Sequence, residues 1–403
     1  MTEPITSLTS TRHPSLDALR GLAVLGILAV NAMTFAWPMV LYMSPQAAPF
    51  AVDGAWTGGD RFAGWLTDVF FTDKFRTLFS LLFGVSVFLV GGERGDVVRG
   101  RLLKRRLFWL AVFGLLHGLA FWYGDILLLY AWCGLFVMLM RSMSAKRLIL
   151  TGGGITLGLA LLQAGMGLAL AHLPPEVQVQ MQQGQSHVSV GDVLATVEVY
   201  RSGWSGAMLE NLKAWAVVQG MSLAVLVFAV VPVMMLGLGL FKAGFLTGRS
   251  PRWVYGLAMG LAALNLAVLG VAEWVERGQH PAATPTGGLG EAASAFAPLI
   301  ALGYASLVVI GGRAFRWLEP VGRMAFSNYL AQTLIMTSLF YMPWGPRLFG
   351  QITPAGLWGV VAAVWALQLV WSPLWLARFR WGPLEWVWRC LTAGRRLPLR
   401  RAG

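Results

Sequence analysis

Residues 115–132 read LLHGLAFWYGDILLLYAW, two apolar runs hinged on the short turn Tyr123 to Asp125. Extended back to Leu107 and forward to Met140, each run approaches the length a helix needs to cross a hydrocarbon layer of about 30 Å. The turn then falls at one membrane face, which places Asp125 at the surface. His117, some six residues from the end of its span, is left roughly 9 Å deep at a rise of about 1.5 Å per residue.

The same pattern recurs along the chain. Of 403 residues, 57% are hydrophobic and only 12% charged, and the mean hydropathy is +0.63, which excludes an ordinary soluble domain. Apolar runs fall at Leu16 to Trp37, Phe75 to Val90, Leu107 to Trp122, Ile126 to Met140, Leu148 to His172, Ala214 to Phe241, Trp253 to Trp274, Ala293 to Ile310, Met324 to Leu339 and Gly356 to Leu376. In lipid only helices or closed barrels satisfy every main-chain group, so the pattern predicts an all-α polytopic membrane protein of about ten transmembrane helices. It divides into an N-terminal tail (1–15), one membrane domain (16–376) with outer loops at 38–74 and 173–213, and a basic tail (377–403).

The net charge of +13 raises the question of a nucleic-acid partner, and its distribution answers it. Most of the basic residues fall in alternate connections, beginning with Arg12 and Arg20 and continuing through Arg94 to Arg106 to the final tail. Most of the acids, Asp53, Asp60, Asp68, Asp73, Asp125, Glu273 and Glu276 among them, fall in the others. This is the positive-inside pattern: it orients both termini to the cytoplasm and leaves no nucleic-acid partner to invoke. Short loops that favour Arg over Lys suit the inner (plasma) membrane of a bacterium.

Interfacial amphipathic helices are expected where Phe62, Trp65, Leu66 and Val69 share a face before the second span. Another is expected where Leu384, Val387, Trp388 and Leu391 recur at helical spacing behind Pro383. The loop 173–213 has room for a short surface helix. The first span follows a polar stretch without a cleavage-type ending and reads as retained. Cys133 and Cys390 match no metal or disulfide pattern, no P-loop or Rossmann fingerprint occurs, and Gly152 to Gly154 read as a close helix contact.

Function is to be sought where polarity is expensive, inside the spans. Asn31 lies in the outer third of the first span and His117 in the third; Tyr123 and Asp125 form the turn; Asp73, Lys74 and Arg76 stand at the mouth of the second span. Asn328 and Gln332 lie one turn apart on the ninth, and together these groups can line one vertical polar track. Each also has a structural reading. Asn31 can bond a neighbouring helix, His117 can be a buried neutral histidine, Lys74 and Arg76 can snorkel, and Asp125 can cap the fourth span. The cytoplasmic arginines orient the chain, and Arg20, Arg105, Arg106 and Arg323 can also meet phosphate groups.

The stretch SLDALRGLAVLGILAVN resembles the opening of the transmembrane acyltransferase superfamily, in which an arginine (here Arg20) precedes a polar span residue (here Asn31) by eleven positions. Asparagine there is similar to the heparan-α-glucosaminide N-acetyltransferase branch. The later strings DKFRTLFSLLFG, LLHGLAFWYGDILLLYA, GRMAFSNYLAQ and FRWGPLEWVWR resemble the YeiB-like family, domain of unknown function 418. The resemblance implies transfer of an acyl group from cytoplasmic acyl-CoA, expected to be acetyl-CoA, to an outer-face hydroxyl or amine. The acyl-CoA is a co-substrate; no permanently bound cofactor or metal is implied.

The loop histidine of the acetyltransferase branch has no counterpart between Asn31 and His117. Either this branch does different chemistry, or His117 takes that place from another helix as the candidate base, with Asn31 the partner of the carbonyl or oxyanion and Asp125 orienting the imidazole or binding the acceptor. Tyr123, Asp73, Lys74, Arg76, Asn328 and Gln332 support the site or bind acceptor. The expected partners are the lipid bilayer, acyl-CoA, an outer-face acceptor and a second copy of the chain in a homodimer. Two other classes are compatible with the same residues: a transporter or lipid flippase using the polar track, and a non-catalytic envelope scaffold.

Overall fold

The computed structural model describes residues 13–52, 55–174, 176–177, 188–277 and 287–401. Arg12, Asp53, most of the N-terminal tail and the middle of the loop 173–213 fall outside the described residues. Within them the chain is helical, with no β-strand and two isolated bridges, Val52 with Ala55 and Phe379 with Arg400.

Each of the ten expected spans is a helix. The principal elements are α1 (Pro14–Ala36), α2 (Gly58–Phe70), α3 (Lys74–Gly91), α4 (Val97–Ala120), α5 (Leu127–Met140), α6 (Ala145–Ala171) and α7 (Val190–Ser202). They continue with α8 (Trp204–Lys242), α9 (Arg252–Glu276), α10 (Ala297–Gly311), α11 (Ala325–Phe340), α12 (Pro354–Arg378) and α13 (Pro383–Ala393). Among the described residues seven helical runs are long and apolar enough to cross a membrane, including α1, α6, α8, α9 and α12. Of the other expected spans, α4 carries a charged first half, while α5 and α11 have only 14 and 16 residues. Helix α5 nevertheless turns Trp132, Leu135, Phe136 and Leu139 outward, an apolar face suited to lipid.

Three expectations change in detail. The sixth span begins about three turns earlier than its hydropathy suggests, at Trp204, because Ala207 and Asn211 are buried within the protein. The apolar face of α2 is turned onto protein as well as lipid: Trp65 Nε1 donates to the Gly270 carbonyl at 2.8 Å, and Val69 is buried against Leu269. Helix α13 likewise docks on the bundle, with the Trp388 indole donating to the Arg106 carbonyl at 3.0 Å while the Arg106 guanidinium lies 3.8 Å from the Trp388 ring. The Glu385 carboxylate, also on α13, accepts from the Phe326 and Ser327 main-chain amides and so caps the first turn of α11. Burial pushes the Glu385 carboxyl above its ordinary value, against the pull of these bonds.

The bundle holds together where glycine lets two helices meet along their main chains, since apolar side chains gain little by leaving lipid for one another. A Cβ on Gly84 of α3 would lie 2.0 Å from the Met234 carbonyl of α8, and one on Gly237 of α8 would lie 2.1 Å from the Leu81 carbonyl of α3. Gly152, from the glycine triplet, meets the Pro232 carbonyl in the same way, whereas Gly158 faces open space. Gly237→Val is expected to lower unfolding stability in detergent by about 1–3 kcal/mol through overpacking, with Gly158→Ala unchanged. Thermal unfolding of the two purified variants checks this, and equal transitions would show that the α3–α8 crossing is not close.

Candidate functional site

His117 occupies the last turn of α4, where it is 3% exposed. Its Nδ1 lies 2.8 Å from Asp125 Oδ1, and its Nε2 lies 2.9 Å from the Thr333 hydroxyl of α11. Asp125 is not at the surface as the turn had suggested; it is 3% exposed, folded inward beneath the α4–α5 connection. The physical reason lies at the start of α5. The Leu127 and Leu128 amides have no helical partner of their own, and the Asp125 carboxylate accepts from both, at 3.2 and 2.9 Å. Gly114, one turn before His117, makes room for this loop: a Cβ there would stand 2.4 Å from the Leu128 amide and 2.8 Å from Asp125 Oδ2.

Both carboxylate oxygens of Asp125 thus act as acceptors. In the neutral imidazole the proton is then on Nδ1, and the Nε2 lone pair faces the Thr333 hydroxyl. An Asp–His–Thr chain of this polarity draws a proton from the threonine oxygen toward the ring.

The surroundings are aromatic. The Tyr329 ring lies 5.4 Å and the Trp122 ring 6.2 Å from the imidazole, and Trp122 stacks at 4.1 Å on Phe35 of α1. The buried Trp122 indole N–H has no hydrogen-bond partner among the described residues, whereas the Tyr329 hydroxyl lies against the Ile126 main chain. Such an N–H costs about 1–3 kcal/mol when left unanswered.

Of the other expected residues, Asn31 lies one turn before Phe35, half-buried, and the Asn31 main-chain carbonyl accepts from Thr34. Tyr123 donates to the Thr34 carbonyl at 3.3 Å, which ties the turn to the same stretch of α1. Arg76 reaches the neighbourhood through Tyr130 of α5, whose hydroxyl donates to the Arg76 carbonyl at 3.2 Å. The Arg76 side chain pairs with Asp73 at 2.5 Å, and both are partly exposed; Asp73 holds a left-handed backbone (φ 63°) at the start of α3. Lys74 does not stand at an open mouth: it is 1% exposed, and its ammonium donates to the Asp68 carbonyl at 2.6 Å.

Asn328 and Gln332 are engaged elsewhere. Gln332 donates to the Val24 carbonyl of α1 and to Gln368 of α12, Gln368 donates to the Asn328 carbonyl, and Asn328 bonds Ser372, Trp371 and the Val321 carbonyl. They lock one face of α11, leaving its neighbouring face to Thr333. At the arginine-rich end of the bundle, Arg20 pairs with Asp17 and Ser86, Arg105 donates to the Leu391 carbonyl, and Arg323 to the Arg380 carbonyl.

Thr333 escaped sequence reading because a threonine in a helix ordinarily satisfies itself. Thr67, Thr151, Thr156, Thr196 and Thr392 of this chain each donate to the carbonyl four residues back. The available signal was its position beside Gln332, on a span already marked by polar groups.

Fold and site together define a polytopic helical membrane protein with a buried Asp–His–Thr chain between α4, the α4–α5 connection and α11. The sequence profile of the family described as "Protein of unknown function (DUF418)" matches residues 238–395. The chain is 32% identical over 410 residues to "Uncharacterized protein YeiB" of Escherichia coli (strain K12), covering 94% of this chain and 96% of that one. It is 30% identical over 412 residues to "Uncharacterized protein YxaH" of Bacillus subtilis (strain 168), covering 96% and 95%. The chain belongs to the YeiB-like DUF418 family. No solved structure matches it.

Gln332→Leu is expected to lower unfolding stability by about 0.6–1.7 kcal/mol, the range for hydrogen bonds between membrane helices, without weakening ligand binding at His117. Calorimetry in detergent tests it; an unchanged transition would mean that the amide lock does not hold α11.

Proposed function

We propose that this protein is an acyltransferase of the bacterial inner membrane. It moves an acyl group, in the simplest case acetyl, from a cytoplasmic acyl-CoA to a hydroxyl or amine acceptor on the other side. The reading rests on one observation: a buried imidazole held at Nδ1 by a carboxylate and directed at Nε2 toward a hydroxyl. Attack of an alcohol on a thioester requires removal of its proton near neutral pH, and an oriented imidazole does this. The unpartnered Trp122 indole N–H, with the Tyr329 hydroxyl and the Asn31 amide on the adjoining stretch of α1, offers donors for the charge that develops on the carbonyl oxygen.

The positive-inside distribution of charge supports a cytoplasmic arginine-rich end. Arg20 and Arg106 there have donors beyond those already engaged and suit the phosphates of CoA. Asp73 and Arg76, partly exposed at the opposite end, suit a polar acceptor.

His117→Gln keeps a hydrogen-bonding group of similar reach but no base. In nanodiscs with radiolabelled acetyl-CoA and candidate acceptors, it is expected to lower acyl capture by on the order of 10²–10⁴-fold, with the thermal transition little changed. Retained turnover would remove His117 from the reaction. Absence of acetyl-CoA binding by the wild-type protein would favour transport along the same polar groups.

A further inference from the structure

The imidazole's working nitrogen is not open to an incoming acceptor: it already holds the Thr333 hydroxyl at 2.9 Å. Thr333 is 2% exposed and lies near the middle of α11, on the face adjoining the Gln332 lock. Its hydroxyl departs from the habit of Thr67, Thr156 and Thr392, which donate to their own helices. An oxygen, a base in hydrogen-bond contact and a carboxylate fixing that base make up the arrangement of an activated nucleophile. The fixing is stringent here, because main-chain amides hold both carboxylate oxygens of Asp125. From this geometry we infer that Thr333 is itself acylated, and that the protein carries the acyl group as a covalent ester between donor and acceptor. The inference rests on the acyltransferase reading above and adds to it a nucleophile and an order of events.

In the first half-reaction Thr333 Oγ1 attacks the thioester carbonyl carbon. The Oγ1–C bond forms and the C–S bond breaks. The hydroxyl proton passes to His117 Nε2 and from there to the departing sulfur, releasing CoA as the thiol. In the second, an acceptor hydroxyl or amine attacks the ester carbon and its proton passes to Nε2. The bond to Oγ1 then breaks, and Oγ1 takes the proton back. The buried, unpartnered Trp122 N–H and the O–H of Tyr329, whose rings flank the imidazole, are the donors for the oxyanion in both halves. Because the acyl group waits on Thr333, the CoA thiol departs before the acceptor arrives.

The test uses the full chain in nanodiscs with [14C]acetyl-CoA and no acceptor. Wild type is expected to retain label after denaturation, with an acetyl increment on the peptide that contains Thr333, and to exchange label between free CoA and acetyl-CoA. Thr333→Val is expected to lose both signals, and Thr333→Ser, which restores the hydroxyl, to regain them. Label and exchange persisting in Thr333→Val would overturn the proposal. So would acetyl transfer to an acceptor by wild type with neither signal, an outcome that leaves the acyltransferase reading standing. If wild type releases no CoA with or without acceptors, both fall.

Discussion

An imidazole placed in a hydrocarbon layer has no water to complete it, so both of its ring nitrogens must be answered from within the protein. For His117 those answers come from Asp125 and Thr333, and much of the local architecture follows from the need to bring them there. The α4–α5 connection turns inward, α5 begins on Asp125 as its cap, Gly114 thins α4 where that loop passes, and α11 is set with one face toward α4. A single interhelical chain thus couples the α4–α5 hairpin to a helix whose threonine lies 216 residues beyond the histidine.

Much of the fold was legible because lipid imposes it. Apolar length and the distribution of arginines give the helices, and the Tyr123 to Asp125 turn was placed by the same reasoning. The site was only half legible. His117 stood out as an ionisable group in a span, but nothing in its spacing from Asp125 revealed whether the carboxylate would point to solvent or fold under the turn. That is decided by two unpaired amides at the start of α5, a tertiary demand that hydropathy does not encode. Asn328 and Gln332 drew attention for the right reason, cost in lipid, yet their amides are consumed in holding α11 to α1 and α12. Thr333, the neighbour that matters, carries no charge and looks self-sufficient on paper.

The arginine-rich end follows a different logic. There α13 closes over α4 and the start of α11 through Trp388, Arg106 and Glu385, so residues that read as orientation signals also fasten the C-terminal segment to the bundle. One side chain can serve both purposes, because a guanidinium has several donors and stacks on an indole without using them.

The amide lock on α11 also bears on how the buried chain is held together. Gln332 and Asn328 tie the back of that helix to two neighbours, so Thr333 is a fixed point in the membrane. The α4–α5 connection, Phe121 to Ile126, is fastened as well: Tyr341, just past α11, donates to the Phe121 carbonyl at 2.7 Å, Asn211 of α8 to the Gly118 carbonyl at 3.0 Å, and Tyr123 to the Thr34 carbonyl. The base and the threonine oxygen therefore stand on two segments whose main chains are each held by neighbours, so their 2.9 Å contact is set by the bundle rather than by either helix alone.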